Sequence, residues 1–311
     1  MFTANISLTV NTVNVSVNGM ETTTATKARQ LIAASQRVTL DPFVEVDWSV
    51  PIDDRAFHLP PEKLPLYGTT VWDSMTPGER YAYSRHECAA LCAAGIWFEN
   101  MLMQVVLRHL SQLPVTDPSH RYLLVEVADE CRHSMMFGEY IRRAGTPEYA
   151  PDCSVDALGP VDSLPGGRAT AYLLILAVEE LLDMSNRATM RDVRVHPVSR
   201  QMAKLHVLEE ARHVSFAKTY LTEVWPTLPD ADRAAASAFA PHAVNFVADL
   251  VVHPHLYDTL GIDDGAAIAR ANPRHRERIV TDLAKLTDFL GDIGVIDDSS
   301  RDVWVELGLA A

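Results

Sequence analysis

The pentapeptides DECRH at residues 129–133 and EEARH at residues 209–213 decide how this chain folds. Each contains a glutamate followed three residues later by a histidine. On an α-helix this spacing puts the carboxylate and the imidazole on one face, one turn apart, where a metal ion can bind both. The strings lie 80 residues apart (210 − 130 = 80). We therefore predict two separate helices whose E-x-x-H faces share one metal site.

The sequence around these strings predicts two helical hairpins. Thr76-Pro77-Gly78-Glu79 is a helix-start signature, with Thr76 as the N-cap and Glu79 three residues later. Apolar periodicity predicts four long helices, at about residues 76–113, 119–144, 168–191 and 198–224. Residues 145–167, rich in proline and glycine, are a long connection between the hairpins. Two hairpins joined by one crossover are the ferritin-like layout, so we expect an all-α fold, a ferritin-like four-helix bundle.

The regions outside the four helices complete the predicted organisation. Residues 1–26 alternate apolar and polar side chains as a strand does, and a short helix should follow over 26–37. Further flanking helices are expected at about 230–252, with a break at Pro241, and at 273–292. We predict three parts: an N-terminal arm with its short helix (1–37), a proline-rich wrapping loop (38–77) and the helical domain that holds the metal site (78–311).

Ferritin-like sites need one more glutamate from each remaining helix. Residues at one level of a tight hairpin have their sequence midpoint in the loop. Glu99 and Glu130 have a midpoint of 114.5, in the predicted loop, whereas Glu87 lies about three turns away. In the second hairpin both Glu179 and Glu180 pass the same test, so the spacing leaves these two as alternatives.

A third histidine extends the candidate site. His206 precedes Glu210 by four residues and His213 by seven, so the three lie within roughly 60° of one helix face. Four carboxylates with two or three imidazoles suit iron or manganese better than zinc. Arg132 and Arg212 should pair with neighbouring acids, and Asp183 is either an acceptor for a ligand histidine or a plain surface acid. Apolar residues beside Glu99 and Glu130 are expected to line a dry pocket: Trp97, Met101, Met103, Leu123 and Val127.

Composition excludes several other classes of protein. The 311 residues carry a net charge of −14 and show no dense Lys/Arg run, which argues against a nucleic-acid partner. The N-terminus does not resemble a signal peptide, and we find no uncharged apolar run long enough for a membrane span. The four cysteines, Cys88, Cys92, Cys131 and Cys153, contain no C-x-x-C pair and are expected to be free thiols. A cytoplasmic location is the expectation.

The ligand pattern resembles the p-aminobenzoate N-oxygenase (AurF-type) family of non-haem diiron oxygenases. The resemblance lies in Glu99, Glu130-x-x-His133, a lone glutamate and then His206-x3-Glu210-x-x-His213. In that family the lone glutamate precedes the extra histidine by 27 residues, which here selects Glu179 (206 − 179 = 27). The resemblance implies this set of two-iron ligands: Glu99, Glu130, His133, Glu179, His206, Glu210 and His213.

The resemblance also implies an activity. Family members activate O2 as a peroxo-diferric species and oxidise arylamines in antibiotic biosynthesis, as homodimers with an external electron donor such as a reductase or ferredoxin. The polar clamp for p-aminobenzoate is absent here, because Leu91 and Ala94 occupy the equivalent positions. We therefore expect amine N-oxygenation of a different, more apolar substrate, with Leu91 and Ala94 in its pocket. The alternatives are a diiron C-hydroxylase, an acyl desaturase or radical-generating subunit, and an iron-handling or catalytically degenerate bundle.

Overall fold

The computed structural model describes residues 22–151, 163–298 and 300–310, and these ranges are built from α-helices. The helices are α1 Thr23–Ser35, α2 Pro42–Glu45, α3 Thr70–Ser74, α4 Pro77–Leu110, α5 Pro118–Ala144, α6 Arg168–Arg191, α7 Pro197–Val224, α8 Asp230–Leu250, α9 Pro254–Thr259, α10 Gly265–Ala271, α11 Pro273–Asp292 and α12 Arg301–Glu306. Within the described ranges the only β-type pairing is an isolated bridge between Phe57 and Val195. The predicted all-α, ferritin-like class is confirmed.

Local sequence signals set the ends of the four long helices. Thr76 and Glu79 form a reciprocal capping box at the start of α4, and Asp117 caps α5 through the backbone N–H of Ser119. Gly145 ends α5 in the left-handed conformation that glycine adopts without steric cost. α4 packs against α5 and α6 packs against α7, which gives the two predicted hairpins.

The buried apolar residues form two core clusters that divide the bundle along its length. The first contains Tyr122, Leu173 and Phe216, and the second contains Tyr83 and Met136. α4, α5 and α7 contribute to both clusters, at opposite ends of each helix. Side chains in the middle of these helices are therefore enclosed between two apolar layers and shielded from water.

Several expectations about the flanking regions can now be compared with the structure. The predicted N-terminal strand falls largely in residues 1–21 and Cys153 in residues 152–162, both outside the described ranges. The short helix α1 begins at Thr23, and the wrapping segment contains α2, α3 and a 3-10 turn. The expected break at Pro241 is wrong, because α8 continues through it. Pro241 is buried beside Ala240 and Val244, and this packing holds the helix together despite the lost hydrogen bond. The three-part domain division stays a prediction.

Two helical segments are long and apolar enough to cross a bilayer by length and composition alone, Pro77–Leu110 and Asp230–Thr259. In the first, 67% of the apolar window is buried inside the protein, and in the second 50% is buried. α4 belongs to both core clusters, so packing within the bundle accounts for its apolar composition.

Candidate metal centre

Seven buried side chains from the four long helices converge between the two core clusters. Each is no more than 3% exposed. They are Glu99 from α4, Glu130 and His133 from α5, Glu179 from α6, and His206, Glu210 and His213 from α7. Their ligand atoms form three overlapping groups, and within each group all atoms lie within 4.8 Å of one another. The structure therefore brings together the same seven residues that the sequence and the family resemblance singled out.

The two E-x-x-H pairs face each other across the bundle. His133 Nδ1 lies 2.8 Å from Glu130 Oε2 and 3.1 Å from Glu210 Oε1. His213 Nδ1 lies 2.8 Å from Glu210 Oε2 and 2.9 Å from Glu130 Oε1. Each imidazole thus directs Nδ1 toward one glutamate of its own helix and one of the opposite helix. Glu130 and Glu210 would therefore hold metal ions together with both of these histidines.

His206 offers a third imidazole nitrogen to the cluster. Its Nε2 lies 3.6 Å from Glu99 Oε1 and 3.6 Å from Glu210 Oε1 and makes no hydrogen bond with any described residue. Burial lowers the pKa of His206 to about 4, so the ring is neutral and Nε2 can present a lone pair. Its Nδ1 lies 3.0 Å from the side-chain amide nitrogen of Asn186. That amide can turn its oxygen toward Nδ1–H when Nε2 binds a metal.

The structure separates the two alternatives on α6. Glu179 lies in the cluster, and its Oε2 is buried without a hydrogen bond. Glu180 Oε1 instead accepts a hydrogen bond from Lys218 Nζ at 2.5 Å. Glu87, which the midpoint test rejected, accepts a hydrogen bond from the Tyr257 hydroxyl at 2.9 Å. Neither Glu87 nor Glu180 contributes to the three groups of metal-capable atoms.

The carboxylates and imidazoles of the cluster shift one another's pKa values. Burial, followed by the nearby Glu130, raises the pKa of Glu99 well above its usual range. Burial and the proximity of Glu210 do the same for Glu179. Burial alone would lower the pKa of His213, but the carboxylates of Glu210 and Glu130 outweigh it and raise that pKa. Four buried carboxylates beside only three imidazoles fit two divalent metal ions, whose four positive charges would balance them.

Two acids that immediately precede the motif glutamates contact the imidazoles at Nε2, the ring nitrogen that points away from the glutamate cluster. His133 Nε2 lies 2.9 Å from Glu209 Oε2, on the opposite helix. His213 Nε2 lies 3.3 Å from Asp129 Oδ2, again on the opposite helix. The contacts are reciprocal, since each string supplies the acceptor for the histidine of the other. They favour the tautomer that carries hydrogen on Nε2 and leaves Nδ1 free for a metal.

The motif arginines pair with these acids, as the sequence indicated. Asp129 accepts hydrogen bonds from Arg132 and from Arg212 Nη2, the latter at 3.0 Å. Asp183, the acid that the sequence offered as an acceptor for a ligand histidine, instead accepts a hydrogen bond from Arg187 Nε at 2.6 Å. Sequence reasoning thus missed Asp129 and Glu209 in this role, although both stood in the quoted strings.

Glu126 is a further buried acid that the sequence interpretation overlooked. It lies one turn before Glu130 on α5 and is 2% exposed. Burial raises its pKa to about 8, and its Oε2 has no hydrogen-bond partner among the described residues. The signal that would have found it is its i, i+4 spacing to Glu130, which places both carboxylates on one helix face.

A narrow cavity of about 40 Å³ reaches His206. Its walls are Leu59, Cys88, Leu91, Cys92, Gly95, Phe137, Leu182, Asn186, Thr189, Ser199, Met202, Ala203 and His206. This volume holds only water-sized molecules unless side chains move. Among the described residues that form the walls there is no lysine, arginine, aspartate or glutamate.

The cavity contains one of the predicted pocket residues, Leu91, but not Ala94, Trp97, Met103 or Val127. Trp97 is two residues, and therefore about 200°, away from Glu99 around α4, and it packs in the first core cluster. Met103 Sδ is contacted by Cys131 Sγ at 3.6 Å, on the outer side of the first hairpin. Residues that are close to Glu99 in sequence lie on several faces of α4, and only one of these faces lines the cavity.

Comparison with known proteins assigns the chain to a family. The model of the p-aminobenzoate N-oxygenase AurF family matches residues 21–294. The chain belongs to this family. Uncharacterised proteins of Mycobacterium bovis and Mycobacterium tuberculosis are each 26% identical over 286 residues, an alignment covering 88% of this chain and 84% of the relative. Members of the p-aminobenzoate N-oxygenase family are diiron oxygenases, and the buried Glu/His cluster described above is able to bind metal.

Proposed function

We propose that this protein is a diiron-dependent oxygenase that uses O2 to oxidise the nitrogen of a small, neutral, largely apolar amine. The observation that carries the proposal is His206, whose Nε2 faces the carboxylate cluster and whose side chain also lines a largely apolar cavity. The family to which the chain belongs supports the same chemistry. Amine oxidation in natural-product biosynthesis is the role that we infer for it.

In this proposal the two irons are held by Glu99, Glu130, His133, Glu179, His206, Glu210 and His213. Two ferrous ions would supply the electrons that reduce dioxygen. The carboxylates neutralise the metal charge, and the imidazoles are fixed from behind by Asp129, Glu209 and Asn186. The two apolar core clusters on either side exclude bulk water from this region.

The cavity would orient the substrate. Without a lysine or arginine among the described wall residues it offers no cationic partner for a substrate carboxylate, which is why we infer a neutral amine. Asn186, Thr189 and Ser199 can hydrogen-bond a polar group of the substrate, while Leu91 and Phe137 contact its apolar part. Leu91 is only partly buried, and we expect it and Phe137 to shift when a molecule larger than O2 enters.

The same cavity also fits a diiron C-hydroxylase, because its apolar walls suit a hydrocarbon as well as an amine. The position of the oxygen in the product distinguishes the two. A small-molecule substrate and an external electron donor are required in either case. We further propose that the protein is a homodimer formed through the outer face of α4 and α5, where Leu107, Leu124 and Met135 are 46%, 46% and 52% exposed.

The experiment compares His206→Ala with the wild type after both are loaded with iron. We expect the variant to bind less iron and to consume O2 more slowly after reduction, because one metal ligand is missing. The matched control is His242→Ala, which removes an exposed histidine on α8 and should change neither measurement. Wild-type iron content and oxygen consumption in His206→Ala would contradict the proposal and favour a desaturase-like site that needs only two histidines.

Mass spectrometry of products from a panel of arylamines, which are neutral at pH 7, with 18O2 as the oxidant, tests the substrate class. Oxygen-18 on nitrogen supports N-oxygenation. Label found only on carbon supports the hydroxylase alternative.

A further inference from the structure

A buried tyrosine–histidine pair lies in the first core cluster, apart from the candidate metal ligands. The Tyr172 hydroxyl lies 2.7 Å from His109 Nδ1, and the two side chains are 0% and 3% exposed. Burial lowers the pKa of His109 to about 3, and burial raises the pKa of Tyr172 well above its usual range. The imidazole is therefore neutral, and the phenol donates the hydrogen bond to its lone pair.

The pair lies close to the metal cluster. Tyr172 precedes Glu179 by seven residues on α6, which corresponds to about 10 Å along the helix axis. Its ring centroid lies 6.4 Å from that of Phe216, which follows His213 by one turn. Phe216 in turn lies 4.9 Å from Tyr122, a second fully buried tyrosine. Aromatic rings thus extend from the helical turn that follows His213 to the pair.

On the other side the pair connects to the surface. The ring centroid of Tyr220 lies 4.5 Å from that of Tyr172 and 5.0 Å from that of His109. Tyr220 and His109 both line a surface depression of about 300 Å³, together with Asp117 and Glu223. Tyr220 is partly exposed, so solvent and small solutes reach the outer end of this row of rings.

We propose that Tyr172, His109 and Tyr220 form an escape route for oxidising equivalents, which protects the metal centre when oxygen is activated without substrate. This inference rests on the proposed oxygenase function. Tyr172 gives one electron to the oxidised centre, and its phenolic proton moves to His109 Nδ1. Tyr220 then gives an electron to the Tyr172 radical, the proton on His109 returns to Tyr172, and the Tyr220 proton leaves to solvent. A one-electron reductant in solution, such as ascorbate, restores Tyr220 together with one proton from water.

The chain provides a matched control at the opposite end of the bundle. Tyr140 is fully buried, its hydroxyl lies 2.9 Å from His58 Nδ1, and it follows His133 by seven residues, again about 10 Å. Its ring centroid lies 5.9 Å from that of His58, which stacks on His196 at 4.8 Å, and among the described residues no tyrosine ring continues this pair toward solvent. The two pairs are therefore alike in burial and in distance from a candidate metal ligand. They differ in that the Tyr140 hydroxyl also has Cys88 and Ser199 as neighbours, and in that only the first pair continues to a surface tyrosine.

The test exposes the iron-loaded, reduced full-length protein to oxygen without substrate and records freeze-quenched electron paramagnetic resonance spectra. We expect a tyrosyl radical signal that narrows in protein labelled with ring-deuterated tyrosine. Tyr172→Phe should abolish the signal and Tyr140→Phe should leave it unchanged. Tyr220→Phe should prolong it at least tenfold in the presence of ascorbate, because the exit is removed. His109→Asn, which removes the proton acceptor, should slow radical formation at least tenfold.

Oxygen consumption is measured in the same samples, so that the two proposals can fail separately. Consumption without a tyrosyl signal, or a signal that survives in Tyr172→Phe, would overturn the escape route and leave the oxygenase proposal standing. No oxygen consumption by iron-loaded wild type would contradict both. Thermal unfolding of each variant identifies loss of fold, and a variant that binds wild-type iron is folded enough for the comparison.

Discussion

Replacing Glu209 with alanine should weaken iron binding although Glu209 is not among the candidate ligands. Glu209 is fully buried, and its Oε2 lies 2.9 Å from His133 Nε2. Removing it leaves that N–H without an acceptor and frees the imidazole to rotate away from the metal. His133 Nδ1 would then no longer be held in position to bind iron. His213 would still be held by Asp129, so the two irons should bind with unequal affinities.

The size of the effect follows from this contact. A hydrogen bond to a charged group contributes about 1.5–3 kcal/mol. Partners behind metal ligands typically change metal affinity by about 10–100-fold, equivalent to about 1.4–2.7 kcal/mol. The two ranges agree, so we expect one of the two iron-binding constants of Glu209→Ala to be about 10–100-fold weaker than in the wild type. Glu209→Gln should lose less, since the amide oxygen can still accept from His133 Nε2–H.

The assay is an anaerobic ferrous titration against a competing chelator, with both binding constants fitted. The matched control is Asp183→Ala, which removes a buried acid from α6 that pairs with Arg187 and not with a ligand histidine. Equal iron affinities in Glu209→Ala and wild type would refute the reasoning. An equal loss in Asp183→Ala would show that the effect is general destabilisation.

Three further predictions test other parts of the account. In Gly95→Ala the new Cβ would lie 2.9 Å from Phe137 Cε2 at the cavity wall. We therefore expect the rate of substrate oxidation to fall at least tenfold while the iron content stays unchanged. A wild-type rate would contradict this. Burial raises the pKa of Glu87 to about 7 from 4.5, so its contribution to stability is lost as pH rises toward 7. Glu87→Gln should therefore stabilise the metal-free protein by up to about 3 kcal/mol at pH 8 and little at pH 4, measured by urea unfolding; the opposite pH trend would disprove the assignment. Leu124→Glu should shift the protein from dimer to monomer in sedimentation velocity, and an unchanged dimer would exclude the outer face of α4 and α5 as the interface.

Helical periodicity was sufficient to predict the fold class and most of the residues that converge at the candidate site. The i, i+3 spacing places Glu130 with His133 and Glu210 with His213 on one face whatever the surroundings. The midpoint of a hairpin selects Glu99 over Glu87 because both helices advance by the same rise per residue. These arguments depend only on the geometry of regular helices.

Other features depend on how each helix is rotated in the bundle, which local sequence does not specify. Glu179 and Glu180 are neighbours about 100° apart, and the packing of α6 in the bundle, in which Lys218 pairs with Glu180, determines which one turns toward the cluster. The contacts of Asp129 and Glu209 cross from one helix to the other, so their partners are 84 and 76 residues away. Trp97 was placed in the pocket for the same reason, since its distance from Glu99 in sequence says nothing about the side of α4 that it occupies.

The most direct test of the central claim is the metal content of the purified protein after anaerobic loading with excess ferrous ions. We expect about two iron ions per chain bound in a coupled site, since the four buried carboxylates and three imidazoles provide charge and ligands for two divalent ions. Mössbauer spectra of 57Fe-loaded protein should show high-spin ferrous iron, with signals from both iron sites. Fewer than two iron ions per chain in the fully loaded protein would contradict the assignment of this cluster as a diiron centre.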